Sequence, residues 1–213
     1  MNEELNQVEQ RVKRYWYSDG IAEITGGAML ILLCGYFAAQ GYVKENSLVN
    51  GLLQSGLVVL MIAATFGARW VVNTLKARVT YPRTGYVQYR VDPQTEKYRR
   101  WALALIAMVL ASAMVFLSNS IQIVDSLLLT TGLVVGIIFV VLRGKSSGIK
   151  RFYILGGLSL VLGIILSLII FPQAYKLAIF YGVLGIASAI SGLLVLRAYL
   201  HDNPFPAESD HGR

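Results

Sequence analysis

One polar interval, Arg69 to Trp101, lies between apolar runs long enough to cross a bilayer, and it limits the folds open to this chain more than any other stretch. It reads RWVVNTLKARVTYPRTGYVQYRVDPQTEKYRRW. Eight bases fall in it: Arg69, Lys76, Arg78, Arg83, Arg90, Lys97, Arg99 and Arg100. Only Asp92 and Glu96 oppose them, so the interval holds +6 of the chain's net +7. A basic segment between apolar runs belongs on the cytoplasmic face, because Lys and Arg are retained there during insertion. That placement orients every other segment.

Composition agrees with a membrane protein. The 213 residues are 55% hydrophobic and only 15% charged, with mean hydropathy +0.57. A soluble domain carries about 25% charged residues. The basic balance (pI ≈ 9.6) is better matched to a membrane surface than to nucleic acid, since no nucleic-acid module is present. Cys34 is the single cysteine, and the two histidines, His201 and His211, lie in the polar tail. No disulfide, Cys-based metal site, bis-His haem site or Ser–His–Asp triad can be assembled from that inventory. The expectation is a non-enzymatic chain with no cofactor and no metal. No cleavable signal peptide and no Asn-x-Ser/Thr sequon are evident, which fits a prokaryotic inner membrane.

Along the chain, residues 2–17 place Leu5, Val8, Val12 and Trp16 at helical spacing, predicting an amphipathic interfacial helix within a segment 1–19. Asp19 is suited to cap the helix that begins at Ile21. Six spans are expected over 20–200, at Ile21–Tyr42, Leu48–Val72, Trp101–Leu117, Ile121–Leu142, Phe152–Phe171 and Leu177–Leu196. They form three hairpins, with loop 73–100 inserted and a disordered cytoplasmic tail at 201–213. Of 19 Lys and Arg, 17 fall on the side of loop 73–100, which puts both termini in the cytoplasm. Trp16, Trp70 and Trp101 mark the same boundary as an aromatic belt. The fold class expected is thus an all-α integral membrane protein with one exception. Val79–Tyr81 and Tyr86–Val91 have strand-like composition around Pro82–Gly85, predicting a small cytoplasmic β-hairpin.

Three sets of residues carry the functional expectations. Arg78, Tyr81, Arg83, Tyr86, Tyr89 and Arg90 would form a basic, aromatic face for anionic lipid headgroups or a protein partner. Its bland counterpart is a topogenic basic loop. Glu23 lies one turn inside the first span and is expected near Arg69. That pair reads either as an interfacial ion pair or as a proton or cation gate. Small residues recur four apart, notably Gly132 and Gly136, and Gly185 and Ala189. They favour packing inside the bundle, with homo-oligomerisation the other reading.

The third hairpin also carries a likeness. GGLSLVLGIILSLIIFP, Gly156 to Pro172, followed by YGVLGIASAISGLLVLRAYL, Tyr181 to Leu200, resembles the hairpin unit of the HdeD-like membrane-protein family. Its members are small six-span bacterial proteins, some linked to acid resistance. The resemblance implies the six-span architecture. RYWYSDGIAE and TYPRTGYV, which flank the first hairpin, lie outside it.

The function expected from these readings is that of an accessory or structural protein of the inner membrane. Its basic cytoplasmic face would contact anionic lipid or a membrane-protein partner. The alternative is a small-solute or ion transporter with Glu23 and Arg69 at its cytoplasmic mouth.

Overall fold

The computed structural model describes residues 16–43, 48–84, 126–145 and 147–204. Those residues are helical wherever they are regular, with no strand among them. The helices are α1 (Ile21–Tyr42), α2 (Leu48–Leu75), α3 (Tyr81–Thr84), α4 (Ser126–Ile137), α5 (Lys150–Leu168) and α6 (Gln173–Asp202). Two π-helical segments, Lys76–Thr80 and Ile138–Lys145, continue α2 and α4. The chain divides into two compact units. The first contains residues 1–87 and 181–213, and the second contains residues 88–180.

The first unit pairs α1 with the part of α6 after Tyr181, antiparallel and very close. A Cβ at Gly27 would lie 2.7 Å from Ala189 N and from Gly185 O, and one at Gly192 would lie 2.7 Å from Ile24 N. Only glycine allows backbones that near. Farther along the seam Cys34 Sγ covers Gly182, and Phe37 stacks on Tyr181 with ring centroids 5.5 Å apart. α2 runs antiparallel beside α1. Tyr36 donates to Leu53 O at 2.8 Å at one end, and Lys76 meets Asp19 at the other.

The second unit is built on the α4–α5 pair. A Cβ at Gly132 would lie 2.8 Å from Gly163 Cα, and one at Gly156 would lie 3.1 Å from Gly136 O. Phe152, Leu128 and Leu155 are buried here. Arg143 in the second π-helical segment stands over the rings of Phe139 and Phe152.

The two seams share one device. Gly156, Ser159 and Gly163 on α5 are spaced as Gly185, Ser188 and Gly192 on α6, that is, G-x-x-S-x-x-x-G. In each, the serine donates across to a carbonyl of the opposite helix: Ser159 to Gly132 O at 2.9 Å, and Ser188 to Glu23 O at 3.1 Å. The flanking glycines face carbonyls one turn to either side, those of Gly136 and Leu128 for α5 and those of Gly27 and Gly20 for α6. The serine hydroxyl bridges a gap that a larger side chain would hold open.

The expected fold class needs correction on two points. The β-hairpin is not seen, because Val79 to Tyr81 is helical, within Lys76–Thr80 and Tyr81–Thr84. The physical reason is tertiary. The helical course lets Lys76 and Thr80 both reach Asp19, and local strand propensity yields to those contacts. Residues 85–91, the rest of that expected hairpin, lie outside the described residues. The six-span count is not seen either. Among the described residues three helices, α1, α5 and α6, are long and apolar enough to cross a membrane, and the apolar run Leu127–Val141 is shorter. The expected span Trp101–Leu117 lies outside the described residues, as do residues 1–15 of the expected interfacial helix. α6 runs on to Asp202, so His201 and Asp202 are helical, while 205–213 lie outside the description.

Candidate functional site

The charges of the first unit converge where α1 begins. Gly20 turns the chain with φ +68°, a left-handed conformation that only glycine adopts cheaply, and its backbone also abuts Gly192 O. Asp19, just before it, is fully buried. Its Oδ1 accepts from Ile21 N, the first backbone N–H of α1, at 3.2 Å, while the N-cap position itself is held by Gly20 and not, as expected, by Asp19. Its Oδ2 accepts from Thr80 Oγ1 at 2.9 Å and lies 2.9 Å from Lys76 Nζ. Lys76 in turn donates to Trp16 O at 2.6 Å and sits 4.0 Å from the Trp16 ring centroid.

The arrangement follows from helix register. α2 delivers Lys76 at its end, and the π-helical turn then sets Thr80 on the same carboxylate oxygen. Burial pushes the Lys76 ammonium below the usual lysine range, and Asp19 restores only part of that loss. A buried charge needs such partners, since an isolated ammonium in low dielectric is very costly.

One turn farther in, Glu23 is 0% exposed. Ser191 Oγ donates to its Oε2 at 3.1 Å, while Ser188 holds its backbone carbonyl. Glu23 is thus fastened to α6. Arg69, its expected neighbour, lies on an exposed part of α2.

The expected lipid- or partner-binding face is described in part. Arg78 is exposed, and Tyr81 is half-buried. Arg83 donates to the Leu200 and Asn203 carbonyls, at 3.3 and 3.0 Å, and so closes the C-terminal end of α6. Tyr86, Tyr89 and Arg90 lie outside the described residues. Of the packing residues, Gly132 and Gly136 face α5, and Gly185 and Ala189 face α1.

Sequence reasoning singled out Asp19 and Glu23 but not Lys76, Thr80, Ser159 or Ser191. No spacing in the letters marks Lys76 as the partner of Asp19: Arg69, seven residues earlier, is exposed while Lys76 is buried in the π-helical segment. Among the described residues no group of three His, Cys, Asp or Glu is placed to hold a metal ion. No family model, no curated protein and no solved structure matches this chain.

Proposed function

We propose that this chain is a non-catalytic accessory or structural protein of the bacterial inner membrane, with both termini in the cytoplasm and a basic cytoplasmic face that docks a partner protein. The observation that carries the reading is the closed bonding of Asp19. Both its oxygens are occupied, by Ile21 N, Thr80 and Lys76, so the cluster holds helices together rather than presenting a reactive group. The glycine–serine seams support the same reading, because they fill both helix pairs with backbone and small side chains. The three apolar helices and the cytoplasmic bias of Lys and Arg support the membrane setting.

The test is association in native membranes. Arg78→Gln with Arg90→Gln should weaken partner capture without altering the melting of the bundle. Arg83 is left intact, since it holds α6. Unchanged capture would count against the docking face.

A second reading, a small-solute or ion transporter, is favoured by one observation: the carboxylate of Glu23 is wholly buried within a helix apolar enough to span. Flux into liposomes that disappears in Glu23→Gln would support it. Flux no greater than in protein-free liposomes, over a broad panel of solutes and pH gradients, would remove it.

A further inference from the structure

Two guanidiniums of the second unit converge on one ring. Arg143 Cζ lies 5.9 Å and Arg151 Cζ lies 5.7 Å from the ring centroid of Phe152, which is fully buried. Arg143 also stands 5.5 Å from the ring of Phe139. Both arginines are half-buried, one near the end of the segment Ile138–Lys145 and the other in the first turn of α5.

The loop between them ties the two positions together. Gly148 turns with φ +68° and donates to Gly144 O at 2.8 Å, while the buried Ser147 hydroxyl donates to Arg143 O. Gly144 makes room for Tyr153: a Cβ there would lie 3.1 and 3.2 Å from Cε2 and Cζ of that ring. The hydroxyl-bearing edge of the exposed Tyr153 therefore borders the same loop.

Two like charges held against one ring repel each other, and neither helix that carries them supplies an acid. No Asp or Glu occurs between Asp125 and Asp202. A guanidinium carries five N–H donors in a fork that matches the oxygens of a phosphate, and contact with a ring consumes none of them. Depth points to the source of that phosphate. α5 is apolar enough to cross a membrane and begins at Lys150, and the apolar run Leu127–Val141 stops two residues before Arg143. Both guanidiniums stand where the apolar runs end, which is the level of lipid phosphates in a bilayer.

We propose that Arg143 and Arg151 together clamp the phosphodiester of one anionic phospholipid, with Phe152 as the floor that aims them and Tyr153 at the rim. The inference rests on the membrane setting of the proposed function and not on a protein partner.

The test uses the full chain purified in mild detergent, with phosphatidylglycerol or phosphatidylcholine added at equal concentration. Bound lipid is counted by native mass spectrometry. The wild type should retain one phosphatidylglycerol in preference to phosphatidylcholine. Arg143→Gln and Arg151→Gln should each lower that affinity about tenfold, as the loss of a hydrogen bond to a charged group would. The double variant should lose less than the product of the two, because both side chains act on one ligand. Phosphatidylcholine retention should not change. Lys150→Gln removes an exposed base from the same loop and should stay within about twofold of wild type, since exposed charge is screened by salt. Arg151→Gln keeps the test valid if Arg143→Gln, which also loses its contact with Phe139, fails to fold. Equal retention of the two lipids, a loss in Lys150→Gln matching that of the arginine variants, or fully multiplicative losses in the double variant would overturn the clamp while leaving the membrane setting intact. Displacement of the lipid by an equal concentration of glycerol phosphate would overturn the lipid as its ligand. A chain that fractionates as soluble without detergent would overturn both the clamp and the membrane setting.

Discussion

The ammonium of Lys76 lies 2.9 Å from Asp19 Oδ2, although the two residues are separated by 57 positions, Asp19 in the turn before α1 and Lys76 in the π-helical segment after α2. With Thr80 on the same oxygen and Trp16 on the same ammonium, this contact joins the entry to α1 with the exit from α2. Asp19→Asn removes one charge and leaves the other buried, so it should cost about 3–5 kcal/mol. Pairing it with Lys76→Met should recover most of that loss, because the double change removes the stranded charge. Thermal melts in detergent of the two single variants and the double variant check this, and strictly additive losses would deny a direct pair.

The same lysine gives the stability a pH dependence. Burial lowers its folded-state value below that of the unfolded chain, with Asp19 acting in the opposite sense. Between the lowered value and the ordinary lysine value the unfolded state binds more protons, so stability rises with pH across that window. Below the lowered value both states are protonated and the full burial penalty remains. Melting of wild type relative to Lys76→Met, followed from neutral into alkaline buffer, should climb; a flat difference would contradict the burial assigned to Lys76.

Glycine positions on the seams should separate from those off them. Gly27→Ala and Gly132→Ala drive a methyl against backbone atoms of the facing helix and should cost about 1–3 kcal/mol each. Gly35→Ala meets nothing within 4 Å and should be neutral or stabilising by up to about 1 kcal/mol, from helix propensity. Denaturation of the three variants side by side provides the check.

The seam serines should contribute less. Ser159→Ala and Ser188→Ala each lose an interhelical hydrogen bond, worth roughly 0.6 kcal/mol among membrane helices. The two variants should match each other in melting if the two seams are equivalent devices.

Arg83 should act on α6 at a distance in sequence. Arg83→Met removes the donor to the Leu200 and Asn203 carbonyls. Amide exchange in the last turn of α6 should quicken, at a cost of about 0.3–1 kcal/mol. Unchanged protection there would show that the carbonyls are satisfied without it.

Much of α1 was legible in the sequence. Its bounds, Ile21–Tyr42, follow from the apolar run and the Ser-Asp-Gly break before it. Glu23 stands out in the letters as a lone acid in an apolar helix. Its hydrogen bond from Ser191, 168 positions away, does not, because hydropathy orders residues along the chain and says nothing of which helix lies alongside. The hairpin reading failed for a related reason. Val79, Thr80 and Tyr81 have strand propensity, but the course of the chain there is decided by Asp19, which Lys76 and Thr80 reach only from a helix. The span count was read from run length, while α4 gives way to a π-helical course at Ile138 within its apolar run. The G-x-x-S-x-x-x-G repeat was visible in the letters, since Ser159 and Gly163, like Ser188 and Gly192, are small residues four apart, but that spacing does not say which helix lies opposite.

The most direct measurement is capture of the full chain from native membranes in mild detergent, wild type beside Arg78→Gln with Arg90→Gln, with co-purifying proteins identified and quantified. The account predicts a protein partner in stoichiometric amount with the wild type and much less with the double variant. Recovery of the wild-type chain alone would contradict the accessory role.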